Sequence, residues 1–365
     1  MATKHSRASA LQEAVTRHRS AYSRREAKVL KELAEAWKPL VGMMDSELKR
    51  LTKILEAGDP TELESWRRDR LQRLMNQLNT RISVSLGETV RIIDAGKRKL
   101  GASALDDFGD LMQSQVDTVF GGAMTISEGA ASRIIGGSDR LLATWARLPV
   151  AALREITART LGGPVVEVLA KRYAAYATEA AETLRYGIAV GQNPRRVAQT
   201  LNRLTNEPYH ISERVARTEM INSYREVRRS TMQENPQVVT GWVWIAQIDD
   251  CCGSCLAMHG TVHDSDEILE SHPNCRCDML PQTVTWSDLG FEDIDEIDEG
   301  FEDEFRADAA KQLDKSKSEL SKRFGPGKAE LIKNGDVSLD DLTRRTYSDE
   351  WGGGRREATL RELSK

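Results

Sequence analysis

The stretch IDDCCGSCLAMHGTVHDSDEILESHPNCRCDML, from Ile248 to Leu280, holds all five cysteines of a 365-residue chain and three of its six histidines. A chain of this length has room for two or three domains, yet it gathers every soft ligand into one short loop-rich segment. The spacing is Cys252-x2-Cys255 and then, nineteen intervening residues later, Cys275-x-Cys277, with His272 just ahead of the second pair. Zinc takes four sulfur or nitrogen ligands in a tetrahedron, and two short pairs on separate turns can supply them while the chain between loops out. Gly253 and Ser254 allow a tight turn in the first pair, as Pro273 and Asn274 do beside the second.

Common zinc ribbons carry two residues within both pairs, whereas here Arg276 alone separates the second. Two ligand sets therefore compete. One is Cys252, Cys255, Cys275 and Cys277, which the spacing favours. The other replaces one of the last two cysteines by His272. Cys251 is the odd thiol, expected to be buried or an occasional substitute. His259 and His263 read as structural or exposed. A dithiol redox site would need a helix directly after the C-x-x-C, and LAMHGTVHDSD shows no helical period. A cysteine–histidine nucleophile lacks an orienting third group. A disulfide knot would need an oxidising compartment.

No apolar run is long enough to span a bilayer, and the basic start MATKHSRASALQEAVTRHRS lacks the apolar core of a secretory signal. The chain reads as made and kept in a cytoplasm, where reduced thiols favour metal chemistry. The net charge of −4 gives no overall basic signature for nucleic acid.

The rest of the chain is helical in pattern. Leu30, Leu33, Trp37, Val41, Met44, Leu48, Leu51 and Leu55 recur at steps of three and four, with Pro39 inside the run as an expected kink or break. AGDP at 57–60 stops this helix, and Thr61 with Glu64 forms a capping-box pattern that starts another. Leu71, Leu74, Leu78, Ile82, Leu86, Val90 and Ile93 carry the stripe on toward AGKRKLGAS at 95–103. Glycines punctuate 104–162 and predict broken helices. Pro164 restarts a strong run. Asn193 and Pro194 open a further helix, and after NEPYH a basic amphipathic helix spans Ile211 to Thr231. VVTGWVWIAQI at 238–248 reads as strand, and MLPQTVTW at 279–286 as its returning partner. Between Trp286 and Phe305 there is no lysine or arginine and many carboxylates, the mark of a solvated or partner-facing segment. The expected fold is mainly α, with long helical hairpins and a small α+β zinc-knot module toward the C-terminus. Its parts are an extended helical region at 1–162, a domain at 163–285 with the Cys/His knot at 248–280, and an acidic segment with a helical tail at 286–365.

Trp244, Asp249, Cys252, Cys255 and Gly260, followed by His272-Pro273-Asn274-Cys275-Arg276-Cys277, form a pattern that resembles the phage Mu F / SPP1 gp7-type minor head proteins, the phage head morphogenesis family. RVARTE at 214–219 and YGIAVGQNPRRVAQTL at 186–201 resemble the helices that precede the signature there. The resemblance covers roughly 165–285, with a weaker echo in FGPGKAELIKNGDVSLDDL. Two positions depart from it. The family often has aspartate where this chain has His259, and often arginine where it has Asp250. The resemblance implies a minor capsid protein of a tailed phage, placed in the virion head after assembly in the host cytoplasm. Its partners would be the portal and the capsid or scaffold proteins, with DNA as a further contact during packaging or ejection, and no membrane.

Other classes are weighed against this. Some relatives carry ADP-ribosyltransferase or toxin domains, and ARTE at 216–219 invites a catalytic Arg217 and Glu219. On a helix, however, Arg217 can pair with Glu213, and Glu219 reads as one of several surface carboxylates. No phosphate-cradling glycine loop, H-E-x-x-H or serine elbow is present, so the expectation is a structural protein rather than an enzyme. Arg214, Arg217, Arg225, Arg228 and Arg229 would serve a nucleic-acid-binding module, but Glu213, Glu219 and Glu226 interleave with them and favour a salt-bridged solvated face.

Overall fold

The computed structural model describes residues 7–56, 63–120, 127–128, 144–158, 165–189, 194–285, 301–348 and 351–364. Helix dominates. α1 (Arg7–Glu56) and α2 (Leu63–Phe120) are followed by the two-residue strands β1 (Ser127–Glu128) and β2 (Thr144–Trp145), which pair in parallel. Then come α3 (Val150–Ala158), α4 (Val165–Ala189) and α5 (Pro194–Gln233). β3 (Val239–Ile245), α6 (Gly253–Met258), β4 (Val262–Asp264) and β5 (Asp278–Thr283) form the cysteine-bearing segment. The remainder is α7 (Phe301–Lys311), α8 (Lys317–Phe324), α9 (Pro326–Asn334), a 3-10 turn at Asp340–Leu342, the hairpin of β6 (Thr343–Ser348) and β7 (Gly352–Glu357), and α10 (Leu360–Leu363). Among the described residues no helix is long and apolar enough to cross a membrane.

The chain divides into two compact units. One comprises Met1–Arg24, Lys97–Arg159 and Met220–Lys365; the other comprises Arg25–Gly96 and Thr160–Glu219. In the second unit Leu33, Trp37, Leu40, Ile92, Ile93, Leu169 and Tyr173 are buried. The Trp37 indole N–H donates to Thr89 Oγ1 at 3.0 Å, and its ring meets Tyr173 edge-on at 5.3 Å. This bond explains a difference from the periodicity. In α2 the inward face is Ser85, Thr89 and Ile93, while Ile82, Leu86 and Val90 are only half-buried. Leu30, Leu33 and Trp37 face inward as the stripe predicts. The side chains of Val41, Met44, Leu48, Leu51, Leu55, Leu71, Leu74 and Leu78 lie outside the described set, as do Thr61 and Asn193.

The helices run on through residues that punctuate the sequence. α1 continues through Pro39 and ends just ahead of AGDP; α2 continues through 95–103 to Phe120; α5 runs unbroken through Asn206-Glu207-Pro208. Gly101, inside α2, marks a close contact. A Cβ there would lie 2.7 Å from Thr157 Cγ2 and 3.4 Å from both Ser223 Oγ and Val227 Cγ2, so the bare backbone lets α3 and α5 pack closely on α2.

The first unit carries the strands. β3 is the centre of an antiparallel sheet ordered β4-β3-β5, with Trp242 opposite His263 on one side and Pro281 on the other. The β-branched and aromatic run predicted as strand thus forms one, and its predicted partner returns beside it. β3 is buried except at Thr240. Trp242, Trp244, Phe108, Met112 and Met232 pack with Cys255, Cys275 and Cys277 in one core. Val243, Ile245 and Leu280 pack with Leu11, Val15, Leu111 and Phe305 in another. A third joins Leu256 and Ala257 of α6 to Leu320, Phe324, Ile332 and Leu342, so residues after 301 close over the cysteine-bearing segment. Of the acidic run only 301–305 is described, as the start of α7; 286–300 lies outside. The β6–β7 hairpin has no counterpart in the predicted helical tail.

Candidate metal centre

The sheet register brings the two cysteine pairs together. β3 leads through the turn closed by Asp250 N–H on Gln247 O to Cys252, which sits at the N-cap of α6 in extended conformation, and Cys255 follows one turn on. Every residue of α6 is buried. The helix corrects the expectation that nothing helical follows the C-x-x-C. Its first N–H, from Gly253, donates to Glu357 Oε2 at 2.8 Å, and Glu357 is also paired with Lys328. On the other side Asp278 pairs with Ile245, which fixes Cys275 and Cys277 beside the end of β3. Asn274 adopts a left-handed φ of 64°, and Cys275 N–H closes a turn on His272 O at 3.1 Å.

The result is one cluster with Cys255 at its centre. His272 Nε2 lies 3.3 Å from Cys252 Sγ and 3.2 Å from Cys255 Sγ. Cys255 Sγ lies 3.7 Å from Cys275 Sγ. Cys252, Cys255 and His272 form one group that can hold a metal ion, and Cys255, Cys275 and Cys277 form another. The sulfur separation is far longer than a disulfide and close to the edge of a thiolate tetrahedron, about 3.8 Å for metal–sulfur bonds of about 2.3 Å. All five cysteines are free thiols. The donor set and its burial therefore fit a metal ion. The site residues expected from the sequence, Cys252, Cys255, Cys275, Cys277 and His272, are all brought together; Cys251 is not among them. Its sulfur instead faces the Arg323 guanidinium at 3.2 Å, and burial pushes its thiol up to about 11.

The cluster is electrically graded. The hydrogen bond with Cys255 holds the Cys252 thiol down at about 5, and the hydrogen bond with Cys252 in turn raises His272 to about 9. Hydrogen bonds with Cys255 and Cys277 hold Cys275 well below the ordinary thiol value, with Arg225 adding to the effect. Cys255 is pushed up by its hydrogen bonds with the other thiols, and Cys277 chiefly by burial. The two thiols held low, Cys252 and Cys275, are those that face His272 and Arg225.

Arg225 is the site residue that the sequence did not reveal. It reaches from α5 to donate to Cys277 O at 2.6 Å from Nη2 and 3.0 Å from Nε, and to Ser271 Oγ at 2.8 Å; Nη2 also lies 3.4 Å from Cys275 Sγ. It is 3% exposed, and Arg228 is fully buried against Asp278. Two of the five arginines of the basic helix therefore point into the protein, not onto a solvated face. Arg217 pairs with Glu213 at 2.8 Å as its spacing predicts, and Arg229 pairs with Glu226. Glu219 is buried, correcting its reading as a surface carboxylate. A signal was available: Ile221, Arg225, Arg228 and Met232 recur at steps of four and three, so both arginines occupy inward positions of the stripe.

His259 and His263 stand apart from the thiols. His263 stacks on Trp242 at 4.2 Å. His259 is buried, and its Nδ1 accepts the Ala246 N–H at 2.9 Å.

The α5 helix, the sheet and the cysteine cluster form a single continuous stretch of sequence, and that stretch is where a family match falls. Residues 178–280 match the family described as Phage Mu protein F like protein. The Mu F-like stretch covers less than a third of the chain and ends within β5. It holds Arg225 together with all the cysteines and His272, while the segments that close over α6 lie beyond it. No curated protein and no solved structure matches the chain.

Proposed function

We propose that this protein is a minor head component of a tailed phage, acting structurally in prohead assembly beside the portal and the capsid or scaffold proteins. The observation that carries the reading is the coincidence of the Mu F-like match with the buried cysteine cluster. Its role is that of a structural part, not a catalyst. It would reside in the virion head after assembly in the host cytoplasm, with contact to DNA during packaging or ejection as the finer part of the reading. Mass spectrometry of purified heads and proheads tests it. The chain is expected in both at a fixed ratio to the portal protein; its absence from both overturns the reading.

Within this role the cluster holds a structural zinc ion. The ligands in this reading are Cys252, Cys255, Cys275 and His272. Support for His272 comes from its hydrogen bonding. Nδ1 donates to Pro273 O at 2.9 Å, so when a metal displaces the second ring proton it is the Nε2 lone pair that faces two sulfurs, as in histidines that bind metals. Cys275 Sγ faces two N–H donors, those of Arg225 and Cys277, which suits a thiolate that keeps its charge. Cys277 then lies outside the ligand set. Zinc would supply folding free energy by closing the loop between the cysteine pairs. Arg225 would offset the excess negative charge of three thiolates and fix the carbonyl of Cys277.

A further inference from the structure

Away from the thiols, the first unit contains a cavity of about 520 Å³ between the start of α1 and the loop that leaves β3. Two donors on its wall have no partner. His259 is 2% exposed, and its Nε2 is buried without a hydrogen bond. Because Nδ1 accepts the Ala246 N–H, the neutral ring carries its proton on Nε2, so the unpartnered atom is a donor. Arg19 also lines the cavity, and its Nε is buried without a hydrogen bond. Both side chains are anchored to the same peptide group. Ala246 N–H goes to His259, while Ala246 O and Ile245 O face the Arg19 guanidinium at 3.5 and 3.2 Å. His259 is further held by an edge-on contact with Phe305 at 5.4 Å, and Phe305 lines the cavity too.

A buried donor left without an acceptor keeps its desolvation cost uncompensated, and two such donors from residues lining one cavity call for an acceptor there. The guanidinium makes an anionic acceptor the best match, since charge-assisted hydrogen bonds to a carboxylate or phosphate are the strong ones. Asp249 stands on the exposed rim of the same cavity and opposes a ligand of high negative charge. Val15, Ile248 and Phe305 supply apolar wall.

We propose that this cavity is a binding site for an oxyanion-bearing ligand, a carboxylate or a phosphate carried on a small organic body, received by His259 Nε2–H and Arg19. The test uses the full chain, with acetate and inorganic phosphate as separate probes at constant ionic strength. The readouts are the His259 Nε2–H resonance and the thermal unfolding midpoint. A saturable shift of that resonance with a rise in the midpoint is expected for at least one probe. Response to acetate alone identifies a carboxylate ligand; response to phosphate alone identifies a phosphate. In Arg19→Gln the affinity is expected to fall roughly tenfold with the His259 ring still in place. His259→Asn, whose amide oxygen can still take the Ala246 N–H, is the second variant and should weaken binding as well. No shift with either probe, or an unchanged response in Arg19→Gln, overturns the proposal.

Discussion

Arg228 and Asp278 form a buried ion pair, with Nη1 of the fully buried arginine 2.5 Å from Oδ2 of an aspartate side chain that is 11% exposed. The pair ties α5 to the first residue of β5, directly after Cys277, and so sets the depth at which the second cysteine pair sits. Tyr224, one turn earlier on α5, donates its hydroxyl to Asp107 Oδ2 at 2.7 Å beside the same arginine. Removing one partner of a buried pair leaves the other charge uncompensated, at a cost of about 3–5 kcal/mol. Arg228→Met should therefore lower unfolding free energy by about that amount in urea titration. The double variant Arg228→Met with Asp278→Asn should recover a large part of it. Equal losses in the single and double variants would show that the side-chain packing of Arg228, not its charge, matters.

The two metal-capable groups share Cys255, which makes that residue the most sensitive one. Protein purified reduced and without added zinc should contain about one zinc per chain, with cluster thiols that react only after chelation. Cys255→Ser should lose the metal and much of the cooperative unfolding. Cys251→Ser should keep it, because that sulfur faces Arg323 instead of the cluster. The ligand set is decided by two further variants. If His272 is a ligand, His272→Ala loses metal and Cys277→Ser retains it. The reverse result would restore the four-cysteine set.

The sequence made the centre of this molecule legible and left its surroundings obscure, for physical reasons. β3 and β5 could be read because a buried strand must be rich in residues such as Trp242, Val243, Trp244 and Ile245. The cysteines could be read because few structures need four thiols at such spacing. The β6–β7 hairpin could not. Its strands, TRRTYS and GGGRRE, show no apolar alternation, and directly opposed arginines such as Arg345 and Arg355 argue locally against pairing. The hairpin is held by contacts distant in sequence: a Cβ at Gly354 would lie 2.5 Å from Ser271 O, and Arg345 faces Glu270 at 4.0 Å. Pro39 and Pro208 misled in the other direction, since each sits in a helix that continues past it. Arginine on an amphipathic helix normally means solvent, and the burial of Arg225 against Cys277 and of Arg228 against Asp278 reverses that meaning.

Gly260 holds the loop between α6 and β4 against α7. Its φ is +80°, and a Cβ there would lie 2.7 Å from Arg306 N and 2.8 Å from Glu302 O. Both clashes are with backbone, so neither relaxes by rotating a side chain. The left-handed conformation costs a non-glycine residue about 1 kcal/mol, and overpacking adds about 1–3 kcal/mol. Gly260→Ala should destabilise the protein by about 2–4 kcal/mol in denaturant unfolding. Arg306 also donates to Ala257 O and His259 O, so faster amide exchange in α6 should accompany the loss. An alanine variant of unchanged stability would mean that α7 is not seated on this loop.

His259 should make the protein sensitive to mild acid. Burial holds its imidazole down at about 4, with Arg19 and Arg306 adding to the effect and Asp308 opposing it. An unfolded histidine titrates near 6.5, so below that pH the unfolded chain binds a proton that the folded one refuses. The stability this group supports is fully present above about 6.5 and falls as pH drops toward 4. The shift corresponds to about 3 kcal/mol lost between pH 7 and pH 4, with little screening because the ring is buried. His259→Asn can keep an acceptor for Ala246 N–H but has no group that titrates there. It should be less stable than the parent at pH 7 and lose less on acidification, so the two unfolding free energies converge as pH approaches 4. His18 is also held down by burial and contributes to the acid response of both proteins, so the difference between their pH profiles isolates His259. Parallel profiles from pH 7 to pH 4 would mean that the folded protein accommodates a charged ring at this position, through Asp308 or through an anion seated beside it.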